Sequence, residues 1–155
     1  MKKSLTLMAA GALALTGCDF AGSTDSSPLP VSSIQVSSLP AMTGGEPWDS
    51  DGTAPDVYVE IRNAAGRAVF RSDVQQDVEA DVLTFAVDSG LEVAFSTMAM
   101  HVSVFETDGD VILAREMAET PSFTIDQLAG GDLQLSDKQD RGAQIRIVST
   151  AQATQ

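Results

Sequence analysis

Two short runs of carboxylates hold most of the chemistry this chain can do. The first spans Glu46-Pro47-Trp48-Asp49-Ser50-Asp51-Gly52-Thr53-Ala54-Pro55-Asp56, with four acids and no base. The second is Glu106-Thr107-Asp108-Gly109-Asp110. Carboxylates brought together repel once water is partly excluded. Folding accommodates them by splaying them into solvent or by placing a cation between them. Calcium suits the second arrangement, because it takes about six to eight hard oxygen ligands at about 2.3–2.6 Å in flexible geometry. Softer metals suit it less. The chain has one cysteine and one histidine, and a surface or edge position on a strand accounts for His101.

Strands must position these runs. Val57, Val59 and Ile61 alternate with Tyr58, Glu60 and Arg62. Leu83, Phe85 and Val87 repeat the pattern, as do Met100, Val102 and Val104, and Ile145 and Ile147 close it. Period two with β-branched residues is the pattern of half-buried strands. Ala68 and Phe70 mark a strand after the turn Asn63-Ala64-Ala65-Gly66, and Ile34 and Val36 mark a first strand. Val111 to Met117 reads as a strand or a short helix, and Asp126-Gln127-Leu128 as a helical turn. Short strands at regular spacing imply an all-β fold, an antiparallel eight-stranded sandwich. The first acidic run then leads straight into the strand Val57–Arg62, and the second follows the strand Met100–Phe105. Alternation puts Glu106 and Asp108 on the side of Val102 and Val104, so they can converge at a strand end.

The start of the chain has a different character. Met1-Lys2-Lys3 precedes an apolar run, Ser4 to Ala14, too short for a comfortable spanning helix. Leu15-Thr16-Gly17-Cys18 follows and resembles the lipobox of bacterial lipoproteins. The resemblance implies a signal peptide over residues 1–17, cleavage, and lipidation of Cys18. Cys18 is the only cysteine, which excludes an intramolecular disulfide. Residues 18–33, rich in Ser, Asp, Gly, Thr and Pro, read as a flexible tether, 34–149 as the sandwich domain, and 150–155 as a frayed tail.

The segment Pro55-Asp56-Val57-Tyr58-Val59 resembles the Ser-Asp-Pro-Tyr-Val segment of C2 domains, the calcium- and lipid-binding β-sandwiches. The resemblance covers residues 33–149 and implies a C2-like sandwich. It implies calcium ligands at Asp56, at Asp49 with Asp51 close by, at the Glu106-x-Asp108 pair, and at Asp110 on a shortened loop. Val57 stands where the family has proline, and the family's lysine-rich strand is missing.

Charge excludes one class of partner. Without residues 1–17 the chain keeps 7 basic and 22 acidic side chains, a formal charge of −15, and Lys138 is its single lysine. Nucleic acid is not the partner of such a surface, because phosphate binding needs Lys and Arg. The acids serve either a cation site or a solvated, salt-adapted surface. Asp73, Asp77, Glu79 and Asp81 read as a solvated loop. Asp49-x-Asp51 is superficially similar to an EF-hand, but Ala54 stands where that loop needs glycine and a strand follows. Trp48 packs under its loop, or presents its ring to lipid or, with Tyr58, to a sugar. No Gly-x-Ser-x-Gly elbow is present, and a lone histidine is tied to no nucleophile, so no enzyme is expected.

Two readings follow. In the first, an envelope lipoprotein anchored through Cys18 presents a Ca²⁺-binding C2-like module that docks on phospholipid or an envelope protein. In the second, the same sandwich is a metal-free adaptor with an acidic surface. Asp19 after the cysteine leaves inner and outer membrane open.

Overall fold

Extended sequence becomes extended structure wherever the alternation is regular. The computed structural model describes residues 26–40, 42–49, 52–79, 81–88, 92–94, 98–109 and 113–150. Its strands are β1 (Ser26–Pro28), β2 (Val31–Ser37), β3 (Met42–Thr43), β4 (Glu46–Pro47), β5 (Val57–Asn63), β6 (Ala68–Arg71), β7 (Val82–Ala86), β8 (Glu92–Ala94), β9 (Met100–Glu106), β10 (Arg115–Glu119), β11 (Leu133–Ser136) and β12 (Gln144–Ser149), with one helical turn, α1 (Ile125–Leu128). The expected Cys18 anchor, Asp51 and Asp110 lie outside the described residues, as does the signal peptide. No helix among the described residues is long and apolar enough to cross a membrane.

Two antiparallel four-stranded sheets form the body, in the orders β10-β9-β5-β6 and β11-β12-β2-β7. Two small ribbons, β1-β8 and β3-β4, flank them. The sheets share one core, in which Val59 and Ile61 of β5 and Val102 and Val104 of β9 meet Ile34 and Val36 of β2, Phe85 of β7, and Ile145 and Ile147 of β12. Burial of each such side chain contributes about 1.5–3 kcal/mol relative to exposure. The fold is the all-β, antiparallel sandwich expected from the sequence.

The start of the domain differs from expectation. Residues 26–33, read as tether, carry β1 and the start of β2, and Leu29 and Val31 are buried in the core. A register shift between Val148 and Ser149 pairs Ser33 with Val148 but Val31 with Ser149. Ser32 is therefore an extra residue, and Val31 shares the inward side with Ile34 and Val36. A bulge of this kind breaks the period of two that sequence reading depends on. Another register shift, between Glu116 and Ala118, buries both Met117 and Ala118 of β10.

Polar ties close the far edge. Asp137, 5% exposed, accepts hydrogen bonds from Glu119 N at 2.9 Å, Arg141 N at 2.8 Å and Arg141 Nε at 2.9 Å. This clamp joins the β11–β12 turn to β10. Burial alone would push the Asp137 carboxyl up; the Arg141 guanidinium and the two backbone N–H groups outweigh it and hold the carboxyl well below the usual range. In α1, Gln127 Oε1 accepts from Thr124 N at 2.8 Å, which satisfies one free donor at the start of the turn.

Candidate functional site: the acidic strand ends

Antiparallel pairing of β5 with β9 decides what meets what. Val57 opens β5 and lies opposite Glu106, which closes β9. The two acidic runs are thus brought side by side, and Thr107 N donates to Asp56 O at 3.0 Å. Glu106 also lies opposite Arg115, the first residue of β10.

Each described carboxylate has its own environment. Asp49 Oδ2 accepts from Thr53 Oγ1 at 3.0 Å and so braces its own loop. Asp56 Oδ1 accepts from Asp77 N at 2.9 Å, which ties the approach to β7 onto the approach to β5. Glu106 is 1% exposed, and its Oε2 accepts from Arg115 Nε at 2.9 Å. Its other oxygen, Oε1, is buried and accepts no hydrogen bond from a described donor; the hydroxyl of Thr107, the next residue, is also unmatched among the described residues. Burial pushes the Glu106 carboxyl above its ordinary value, Arg115 pulls the other way, and the nearby exposed Asp108 adds to the rise.

Arg115 is the residue that sequence reasoning missed. Its guanidinium lies 5.4 Å from the centre of the Trp48 ring while it pairs with Glu106, so it supplies a positive charge at the place expected for a metal. Trp48 is 5% exposed and belongs to the core, and its Nε1 donates to Pro40 O at 2.6 Å. It packs under the loop. The sugar- and lipid-facing alternatives for Trp48 are therefore set aside, and Tyr58, 2% exposed, offers no open face to a sugar either. Two signals pointed to Arg115: it is one of few bases, and it lies in the element that follows the second acidic run.

The described carboxylates alone do not form a calcium site. Among the described residues no group of three or more His, Cys, Asp or Glu side chains could hold a metal ion. Glu106 and Asp108 come together, while Asp49 and Asp56 are engaged by Thr53 and Asp77. An arginine within 3 Å of a would-be ligand also opposes a divalent cation there.

The solvent side of the same sheet holds a second buried glutamate. Glu60 is fully buried, with Oε1 paired to Arg71 at 2.5 Å and Oε2 to Arg62 at 2.6 Å. Tyr58 and Phe105 stack across β5 and β9 with ring centres 5.2 Å apart. Arg62 lies 4.9 Å from the Phe105 ring centre and Arg71 lies 5.5 Å from that of Tyr58. His101, on the same strand pair, sits 3.5 Å from Glu119, which Lys138 also meets at 2.5 Å.

No family model and no curated protein matches the chain. Among solved structures it is similar to a tandem pair of C2 domains from extended-synaptotagmin 2, at 12% identity and a TM-score of 0.41, covering 96% of this chain and 48% of that one. The calcium-bound form of the same domains matches at 12% identity and a TM-score of 0.42, over 79% and 46% of the two chains. A structure of CC2D1B matches at 9% identity and a TM-score of 0.39, over 77% and 57%. The chain spans about half the length of these structures. In fold the chain is an antiparallel sandwich of two four-stranded sheets, a description that its own strand pairing carries.

Proposed function

We propose that the chain is an exported protein, lipid-anchored through Cys18, that presents a non-catalytic β-sandwich as a docking module in the cell envelope. One observation carries the choice between the two readings: Arg115 on Glu106. The acidic strand ends balance their buried charge with an internal cation, so the sandwich is a metal-free adaptor and its remaining acids form a solvated surface. The lipobox-like Leu15-Thr16-Gly17-Cys18 supports the anchor. The partner is an envelope protein, since an acidic surface is repelled by anionic lipid.

A second reading keeps calcium and lipid docking. It is favoured by the unmatched Oε1 of Glu106 beside Asp108, and it needs Asp51 or Asp110 as further ligands.

Thermal unfolding of the full chain in EDTA, and then in millimolar Ca²⁺ at fixed ionic strength, separates the readings. The adaptor reading expects no calcium-specific change. A ligand at ten times its dissociation constant that binds only the folded state adds about 1.4 kcal/mol, so a rise with Ca²⁺ but not Mg²⁺ would overturn it in favour of the second. The anchor is tested separately: Cys18→Ala is expected to abolish incorporation of labelled fatty acid and release the protein from the membrane fraction.

A further inference from the structure

A cleft of about 590 Å³ opens between the end of β2, residues 53–55 and the segment leading into β7. This lies within the size range of sites for small molecules, about 300–1,000 Å³. Leu39, Pro55, Val78 and Leu83 give it apolar walls, and Val78 N donates to Pro55 O at 3.1 Å, which joins two of them. Glu79 and Asp81 also line it, and both are exposed. Neither carboxylate has an ion-pair or hydrogen-bond partner among the described residues. No lysine or arginine lines the cleft, so the charges on its walls are those of the two acids.

Shape and charge together select the occupant. An anion is repelled, and a phospholipid headgroup would bring its phosphate against the same two acids. A peptide strand adding to β7 would have to displace a side chain already bonded there. β7 is an outer strand, and Val87 N donates inward to Ser32 O at 3.0 Å. By alternation, Val82, Thr84 and Ala86 turn their backbone groups outward. Gln75 Nε2 already occupies Thr84 O at 2.8 Å.

We propose that this cleft binds a small organic amine, with its ammonium between Glu79 and Asp81 and its apolar body against Leu39, Val78 and Leu83. The cleft accounts for acids that the adaptor reading leaves as bare surface, and it does not depend on whether the strand ends hold calcium.

The test is calorimetric titration of the full chain with hexylammonium and, separately, hexanoate, with methyl cross-peaks of Leu39, Val78 and Leu83 followed by NMR. Saturable binding of hexylammonium, about tenfold or more tighter than hexanoate, is expected from charge-assisted hydrogen bonds. The three methyl groups are expected to shift. The double variant Glu79→Gln with Asp81→Asn alters only exposed side chains; it is expected to keep the fold and bring the two affinities within about threefold. Equal affinity for both compounds, no saturable heat with hexylammonium, shifts confined to other residues, or undiminished selectivity in the double variant would each overturn the proposal.

Discussion

Glu60 and Glu106 are the same residue type on the same pair of strands, with 0% and 1% exposure, yet they are matched by donors to different degrees. Glu60 has a guanidinium on each oxygen, and each of those arginines lies over an aromatic ring. Glu106 has one guanidinium, an unmatched oxygen and an acid for a neighbour. Burial is equal, so burial does not set the difference. The number of donors does, because a buried carboxylate left partly unmatched keeps most of its desolvation cost. Glu60 is a structural tie. Glu106 is a group under pressure to take up a proton.

Three substitutions break or sharpen that contrast. The largest effect is expected from Glu60→Ala, which frees two arginines and uncovers the Tyr58–Phe105 stack. Loss of one partner of an enclosed pair costs about 3–5 kcal/mol. Here Arg62 and Arg71 are 31% and 49% exposed and can return to water, so the expected cost is at the low end, about 3 kcal/mol in urea unfolding.

Next comes Asp137→Asn, expected to cost about 2 kcal/mol at pH 7 through its lost charge-assisted bonds. The folded carboxyl titrates below its unfolded value. Its contribution is therefore present above the unfolded value, about 3.9, and disappears as pH falls through the folded one. The gap between the two proteins' melting curves should begin to narrow below about pH 4 and close as pH falls through the folded value; a constant gap across pH would mean that packing, not charge, is at stake.

The smallest effect has the opposite sign. Glu106 titrates above its unfolded value, so it favours the fold when protonated and loses that contribution as pH rises through its folded value. Glu106→Gln keeps an acceptor for Arg115 and removes the buried charge. A gain of about 0.5 kcal/mol at pH 7 that vanishes in acid is expected. Destabilisation at pH 7 comparable to that of Glu60→Ala would show that Glu106 is as well matched as Glu60, and the contrast would fall.

Much of this was legible in the chain itself. Val57, Val59 and Ile61 announced an inward face, and all three are buried in the core. The strand over Met100–Phe105 placed Glu106 on the core side with Val102 and Val104, where it is found. The tether was overextended because Ser32 and Ser33 look like linker until the bulge against Val148 and Ser149 is seen. Tyr58 and Glu60 were assigned to the outer face, where alternation expects solvent; neighbouring side chains cover them both. Arg115 escaped because a charge count says how many bases there are, not which acid each one meets.

Local chemistry alone determined the strand period, the all-β class, the two acidic runs and their positions at strand ends, since these depend only on side-chain alternation along an extended backbone. Tertiary structure decided which charges are paired. Register across β5, β9 and β10 puts Arg115 opposite Glu106, and register across β5 and β6 puts Arg71 opposite Glu60. Such partners are chosen by strand pairing and by the packing of Trp48 beneath its loop. Glu106 and Arg115 stand nine residues apart in the sequence, yet only the folded chain brings the distant Trp48 ring beside them.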